Sequence, residues 1–171
     1  MRRVEQRAEI IIGAAEGQDI DLQFVTDLLD AQPTTLWRQG EPLRHTGRLR
    51  KWSAWIWETE EVPGYDSEAV LCTVLDRFGA QTRTIRDLCR EHGLTVDVGL
   101  VVSMYGDVAA GEDGVMGADV ATPALHFSAA TLQRLTALGA SLDIDQYVIA
   151  PDEDGEALSD GIRERGRGDD R

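Results

Sequence analysis

The chain has 171 residues, of which 42% are hydrophobic, enough for the core of a single domain. Its net charge of −14 would repel a nucleic acid from most of the surface, which argues against a nucleic-acid partner. No apolar run approaches the ~20 residues that cross a bilayer. The three isoleucines after the N-terminal arginines are too few for a signal peptide. We therefore expect a cytoplasmic protein without a membrane partner.

The first half of the chain predicts a strand, a helix and two further strands. Residues 8–14 place apolar side chains on one face of a strand and Glu9 and Ile11 on the other. Asp19 or Asp21 can cap the helix that follows. Its predicted inward stripe is Leu22, Val25, Leu28 and Leu29. A short strand at 34–38, a polar loop and a strand at 52–58 come next.

The second half predicts a helix, a strand, a helix and a strand. Asp66 or Ser67 can cap a helical period that runs to about His92, with Gly79 marking a kink or a break into two helices. Residues 94–105 form the clearest strand, and residues 106–122 read as a mobile loop. Ser128 can cap a helix that Gly139 ends, before a strand at 141–149. The inward residues of that helix are predicted to be Leu132, Leu135 and Leu138.

The two cysteines, Cys72 and Cys89, fall on the apolar side of the first of these helical regions. If that helix is continuous, its rise separates them by about 25 Å, which is beyond disulfide reach. We expect both thiols to be reduced and buried, in agreement with a reducing compartment.

The order β-α-β-β-α-β-α-β predicts a single α+β domain over residues 1–150. Its first six elements match a ferredoxin-like split βαβ arrangement, with a mostly antiparallel sheet and helices on one face. An extra C-terminal helix and strand would extend the sheet, and a different α+β strand order is the alternative. Residues 151–171 are acidic and arginine-rich with little to bury, so we expect a disordered tail.

The segment 34–57 holds all four tryptophans and the only dense group of positive charge. An arginine beside a tryptophan recognises carboxylates, phosphates and aromatic rings well. In the competing interpretation Trp37 packs on a helix, Arg38 pairs with Glu41 or a strand carboxylate, and the loop is solvated. The predicted binding residues are Trp37, Arg38, Gly40, Glu41, Arg44, Arg48, Trp55 and Trp57.

The strand at 52–58 has tryptophans on both faces. Trp55 and Trp57 share one face, whereas Trp52 points the other way. One face must meet the helices. The other is either an exposed interaction surface, through which the chain could form a homodimer, or is covered by the 40–50 loop or the tail.

TTLWRQGEP, the arginine-rich loop after it and the Trp-containing strand resemble a bacterial family, domain of unknown function family 4279 (DUF4279). Members of that family carry a W-R-x-G-[DE]-P type motif after the first helix. They end in a short helix and strand of the kind seen here as LHFSAATLQRLTALGASLDIDQYV. The resemblance covers roughly residues 10–149. It implies no activity, although some domains of this general kind are associated with neighbouring toxin systems.

Motifs of catalysis are missing from the sequence. There is no nucleophile elbow, Walker motif, G-x-G-x-x-G or C-x-x-C, and His45, His92 and His126 lack the spacing of a metal pair. Asp97, Asp143 and Asp145 lie on polar sides of two strands, where they could hold a divalent ion or simply face solvent. We therefore expect no catalytic residue, no metal and no cofactor.

The sequence favours a non-enzymatic binding module of bacterial origin, with a protein as its partner. A net charge of −14 suits a basic partner, and an immunity-like inhibitor of a basic nuclease toxin is one concrete form; a regulatory domain is another. The alternative is a small-molecule or anion sensor with a Trp/Arg pocket. A metal-dependent enzyme that uses the aspartates is the third hypothesis.

Overall fold

A computed structural model of the protein describes residues 3–18, 20–43, 47–110 and 116–150. The strands are β1 (Arg3–Ala14), β2 (Thr35–Trp37), β3 (Ala54–Glu58), β4 (Val62–Pro63), β5 (Leu94–Tyr105), β6 (Asp107–Ala110), β7 (Met116–Asp119) and β8 (Ser141–Ile149). The helices are α1 (Gln23–Leu29), α2 (Ser67–Phe78), α3 (Thr82–His92) and α4 (Ala129–Leu138). Arg44, His45 and the predicted tail at 151–171 lie outside the described residues.

A six-stranded sheet organises the domain. Its order is β2-β3-β1-β5-β8, and β4 pairs with the first half of β1. Every pair is antiparallel except β5 with β8, which is parallel. The predicted α+β class with a mostly antiparallel sheet is therefore confirmed, and the ferredoxin-like subdivision stays a prediction.

The helices that the structure describes pack on one face of the sheet. Even-numbered residues of β1, such as Ile10 and Ile12, form the core with Val25 of α1, Leu71 of α2 and Ile85 of α3. The even-numbered residues of β1 and β5 face the helices because side chains alternate along a strand. Several odd-numbered residues are also buried, on the opposite face, among them Glu9, Val101 and Ser103.

The long helical segment after Asp66 is divided into two helices, which was one of the two predictions made for Gly79. A 3-10 turn at Gly79–Gln81 separates α2 from α3. The carboxylate of Asp66 caps α2 by accepting a hydrogen bond from the Ala69 amide, and Gly93 ends α3 in the left-handed conformation. The two cysteines are free and half-buried, and burial raises the pKa of Cys89.

Two expectations about side-chain direction were wrong. Leu28 and Leu132, predicted to point inward, are 49% and 46% exposed. In α4 Thr131 is buried instead, and its hydroxyl bonds a carboxylate of α2. The segment 106–122 contains β6 and β7, which pair antiparallel, and its mobility stays a prediction. In the part of the chain that the structure covers, no helix is both long and apolar enough to cross a membrane.

Glu68 of α2 joins that helix to α4. The backbone N–H of Ser128 donates to its Oε1 at 2.8 Å, and the hydroxyl of Thr131 donates to the same atom at 2.5 Å. Hydrogen bonding from Ser128 and then from Thr131 lowers the pKa of Glu68 from its ordinary 4.5 to about 2. The ionised carboxylate therefore holds the start of α4 more strongly than the protonated acid does.

A carboxyl group whose pKa is lower in the folded than in the unfolded state stabilises the fold at pH values above its unfolded-state pKa. This stabilisation is lost as the pH falls through the pKa of the folded state. We therefore expect native Glu68 to be more stable than Glu68→Gln at neutral pH. The difference should shrink between pH 4.5 and about 2. Urea unfolding over a pH series measures it, with exposed Glu91→Gln as the control. A difference that is constant with pH would contradict the assignment.

Candidate binding surface on the open face of the sheet

The face of the sheet opposite the helices is called the open face below. It carries the odd-numbered residues of β1, β5 and β8 and the even-numbered residues of β3, because these alternate with the residues that face the core. No helix lies on this face among the residues that the structure describes. Its side chains divide into an aromatic and cationic end at β2 and β3 and an acidic side at β5 and β8.

The aromatic end is built from Trp37, Arg50 and Trp52, called the Trp–Arg patch below. The rings of Trp37 and Trp52 meet edge to face with centroids 5.6 Å apart, and the guanidinium of Arg50 lies 3.9 Å above the Trp37 ring. Trp52 packs over Gly13 of β1, at 3.7 Å from the place where a Cβ would stand. Both tryptophans are half-buried, so indole surface remains available on this face.

A tight turn and a short hairpin hold the patch in position. The Gly40 amide donates to the Arg50 carbonyl and the Arg50 amide to the Glu41 carbonyl, which places Arg50 beside Trp37. Gly40 has φ +83°, a left-handed value that favours glycine. The carboxylate of Glu41 accepts a hydrogen bond from the backbone N–H of Arg38. Gly40 and Glu41, two of the predicted binding residues, therefore shape this loop.

The remaining predicted residues of the loop have different surroundings. Arg38 forms an ion pair with Asp21 at 2.9 Å, and both side chains are more than half exposed. Asp21 lies just before α1, and its other carboxylate oxygen accepts a hydrogen bond from the backbone N–H of Gln23. Arg48 is exposed next to the patch. The guanidinium of Arg38 thus pairs with Asp21, which precedes α1, and the competing interpretation was wrong to name Glu41 or a strand carboxylate as its partner.

Trp55 belongs to the core, which corrects its assignment to a binding surface. It is fully buried, its Nε1 donates to the hydroxyl of Thr26 at 3.1 Å, and its ring meets Phe78 at 6.1 Å. Trp57 is half-buried against the same core and also contacts Phe78. The two indoles point toward the helices because their partners across β1, Ile12 and Ile10, are core residues. The face that carries Trp55 and Trp57 is therefore the one that meets the helices, and the predicted homodimer through the other face stays a prediction.

The centre of the open face holds a buried acid. Glu9 of β1 is 3% exposed and lies over Gly99 of β5, where a Cβ would come within 2.8 Å of its Cγ and Oε1. Gly99 thus leaves the space that the Glu9 side chain fills. Beside it, Arg7 pairs with Glu58 at 3.4 Å. These contacts place charge at the middle of a sheet face that also contains the half-buried Ile11.

The three aspartates considered for a metal lie on the acidic side of the open face. Asp97 of β5 bonds the hydroxyl of Ser141, while Asp143 and Asp145 stand opposite Gly99 and Val101. Within the described ranges no three His, Cys, Asp or Glu side chains are grouped closely enough to hold a metal ion. The proposed aspartate site is therefore not assembled.

The segment around the patch and the rest of the molecule have net charges of opposite sign. Residues 37–57 contain five basic side chains and one acidic one, a net charge of +4. Because the whole chain is at −14, all other residues together carry −18. A surface of this kind attracts partners of complementary pattern and also sets their orientation.

Sequence reasoning grouped Arg50 with the positive charge near Trp37, but it did not select Trp52 for the patch or Arg7, Glu9 and Gly99 for the centre. Two signals were present: a glutamate within a long apolar strand, and a glycine in the interior of another. A charged residue in a central strand needs a partner, and an interior strand glycine often marks a close approach. Which residues meet there depended on the strand order.

These features define a small α+β domain with one sheet face covered by helices. The other face, on which no described helix lies, carries charged side chains and an aromatic patch. The chain belongs to the family described as domain of unknown function (DUF4279), whose family model matches residues 13–149. No curated protein and no solved structure matches the chain. The family assignment confirms the resemblance drawn from TTLWRQGEP and assigns no activity.

Proposed function

We propose that the protein is a non-enzymatic, protein-binding module and that it contacts its partner through the Trp–Arg patch. The observation that carries this proposal is the pair of half-buried indoles, Trp37 and Trp52, beside a stacked arginine on a sheet face without helices. Tryptophan and arginine dominate the energetic centres of protein interfaces, because they bury large areas and offer polar atoms at their edges.

The partner that fits this surface carries both signs of charge. The net charge of −18 on the rest of the chain steers a basic protein toward the molecule. The net charge of +4 on residues 37–57 then favours the orientation in which the partner presents acidic residues to the patch. An immunity-like role toward a basic toxin satisfies both conditions, as does a regulatory role toward another basic protein. The proteins encoded beside this chain in its genome are the first partners to test.

Substitutions in the patch test the proposal. We expect Trp37→Ala to weaken binding to the partner by at least ~30-fold, the effect of losing an interface residue worth about 2 kcal/mol. Arg48→Glu with Arg50→Glu should weaken it further and mainly slow association. Isothermal calorimetry and stopped-flow mixing with each neighbour-encoded protein measure these effects.

A matched control separates the patch from net charge. Arg83→Glu with Arg86→Glu makes the same charge change on exposed positions of α3, on the helical side of the molecule. This control should leave the affinity within about twofold if the patch is the contact surface. Equal losses in the patch variant and the control would show that only net charge matters, and the proposal would be wrong.

A sensor for a small anion is the second candidate. The guanidinium of Arg50 stacked on Trp37 is an arrangement suited to carboxylate or phosphate groups. A ligand that binds only the folded state at 100 times its Kd should add about 2.7 kcal/mol of stability. A thermal-shift series with phosphate, nucleotides and dicarboxylates distinguishes the two candidates, because the protein-binding module requires no shift from any of these compounds.

A further inference from the structure

We propose that residues 163–167, called the Arg segment below, bind across the acidic part of the open face of the same chain. The inference goes beyond the proposed function, because it concerns that acidic part and not the Trp–Arg patch. It depends on the burial of the open face, on the charges that lie there, and on the position and spacing of the arginines that follow β8.

The open face is buried although no helix of the described residues lies on it. Ile56 of β3, Glu9 of β1, and Val101 and Ser103 of β5 are between 0% and 6% exposed. A sheet face that is left to water exposes its outward side chains. Burial of this extent therefore indicates that part of the chain crosses the face.

Outside the Trp–Arg patch, the charged side chains of the open face form what is called the acidic surface below. Seven of them are acidic and two are basic, a net charge of −5. They are Glu5, Glu9, Glu58, Glu61, Asp97, Asp143 and Asp145, with Arg3 and Arg7. The two arginines pair with Glu5 and Glu58. The remaining acids make the surface attractive to a cationic segment.

The Arg segment has the opposite charge and a matching spacing. It reads Arg-Glu-Arg-Gly-Arg, a net charge of +2, whereas residues 151–171 as a whole carry −4. Because side chains alternate along an extended backbone, the three guanidinium groups of an extended Arg segment share one side and its glutamate points to the other. Asp143 and Asp145 are likewise two residues apart on β8, about 6.6 Å. Arginines at this interval can therefore pair with both carboxylates.

The Arg segment can reach the acidic surface from the end of β8. Ile149 stands beside Tyr105 of β5, which stands beside Arg3 of β1. Glu9 is six residues farther along β1. At ~3.3 Å per residue and ~4.8 Å between strands, Glu9 is therefore about 22 Å from Ile149. Arg163 follows Ile149 by 14 residues, and an unstructured linker of that length spans about 19–22 Å on average. A tether that matches its span gives the highest effective concentration.

An occupant from the same chain fits this surface better than a second copy does. Glu9, Asp143 and Asp145 each take part in an interaction within this chain. Tethering also supplies the Arg segment at a concentration on the order of millimolar, which a free partner reaches only in concentrated solution. Because the contact joins opposite charges near the surface, we expect added salt to weaken it.

Tryptic cleavage of the full chain tests the inference. Trypsin cuts after arginine, and it can cut the Arg segment only when the segment has left the face. At low salt we expect cleavage after residues 163, 165 and 167 to be about tenfold slower in the full chain than in a free peptide of residues 158–171. High salt should remove most of this difference. Asp143→Asn with Asp145→Asn should bring the two rates within about twofold, because it removes two of the paired charges.

Controls separate this contact from misfolding and from net charge. Asp27→Asn with Glu91→Gln removes two charges from exposed positions of α1 and α3 and should leave the protection unchanged. Circular dichroism shows whether each variant is folded. Cleavage as fast as that of the free peptide at low salt would overturn the inference. Protection that the β8 variant retains, or that the control loses, would overturn it as well.

Protein concentration distinguishes the two possible sources of the Arg segment. A contact within one chain gives the same protection at every concentration of the protein. Protection that rises with concentration would show that the segment binds a second copy, which would overturn the inference. None of these outcomes depends on the Trp–Arg patch, so the proposed function stands or fails separately.

Discussion

Trp55→Ala is expected to destabilise the protein by about 3–5 kcal/mol, the usual cost of removing a buried aromatic side chain. Trp55 is fully buried and contacts Phe78 edge to face. Its Nε1 also donates to Thr26, so the substitution leaves both a cavity and an unpaired hydroxyl in the core. Urea unfolding at neutral pH measures the loss, which is a large share of the stability of a domain this size.

Two comparisons identify the origin of that loss. Trp55→Phe retains most of the ring but removes the donor to Thr26, and should cost about 1–3 kcal/mol. Trp37→Ala, on the open face, should cost only about 1–2 kcal/mol, from the lost contacts with Trp52 and Arg50. If Trp37→Ala destabilised the protein as much as Trp55→Ala, the division between core and surface tryptophans would be wrong.

Gly99→Ala is expected to destabilise the protein by about 1–3 kcal/mol, as over-packing of a filled site usually does. A Cβ at this position would come within 2.8 Å of the Cγ of Glu9, whose side chain is buried and has little room to move. Replacing a glycine inside a strand by alanine ordinarily stabilises the protein. The close approach of Glu9 therefore reverses the usual sign.

A double-mutant cycle tests this explanation. In the background Glu9→Ala the space above residue 99 is vacant, so Gly99→Ala should become neutral or stabilise the protein by about 0.5–1 kcal/mol. Gly13→Ala is a second comparison, because its nearest atoms stand at an ordinary contact distance of 3.5 Å or more. The coupling energy between residues 9 and 99 follows from the unfolding free energies of the native protein, the two single variants and the double variant. Additive effects of Glu9→Ala and Gly99→Ala would refute the close approach.

Local sequence signals predicted much of the fold. Alternation over residues 94–105 matches the observed bounds of β5, and Ser128 and Gly139 begin and end α4 as their types require. These signals are local, because alternation and capping involve neighbours within a few positions. The short strands β4, β6 and β7 were not anticipated, since each has at most four residues.

The candidate surface was predicted in part. Trp37, Arg38 and Arg48 do lie together around the loop that TTLWRQGEP begins, because they are close in the chain. Glu9 and Gly99 are 90 positions apart, and only the pairing of β1 with β5 joins them. Trp55 was misplaced for a related reason. Its alternation with Ile56 shows that the two residues face opposite ways, without showing which way leads to the helices.

The sequence by itself determined the helices and the longer strands, most of their ends, the family, and the concentration of indole and positive charge in one segment. The tertiary structure decided which side of each strand meets the helices, and so divided the tryptophans between core and surface. It also brought Arg7, Glu9 and Glu58 together on the open face. The physical reason is that a strand's period sorts side chains into two sets, whereas burial depends on which neighbours cover each set.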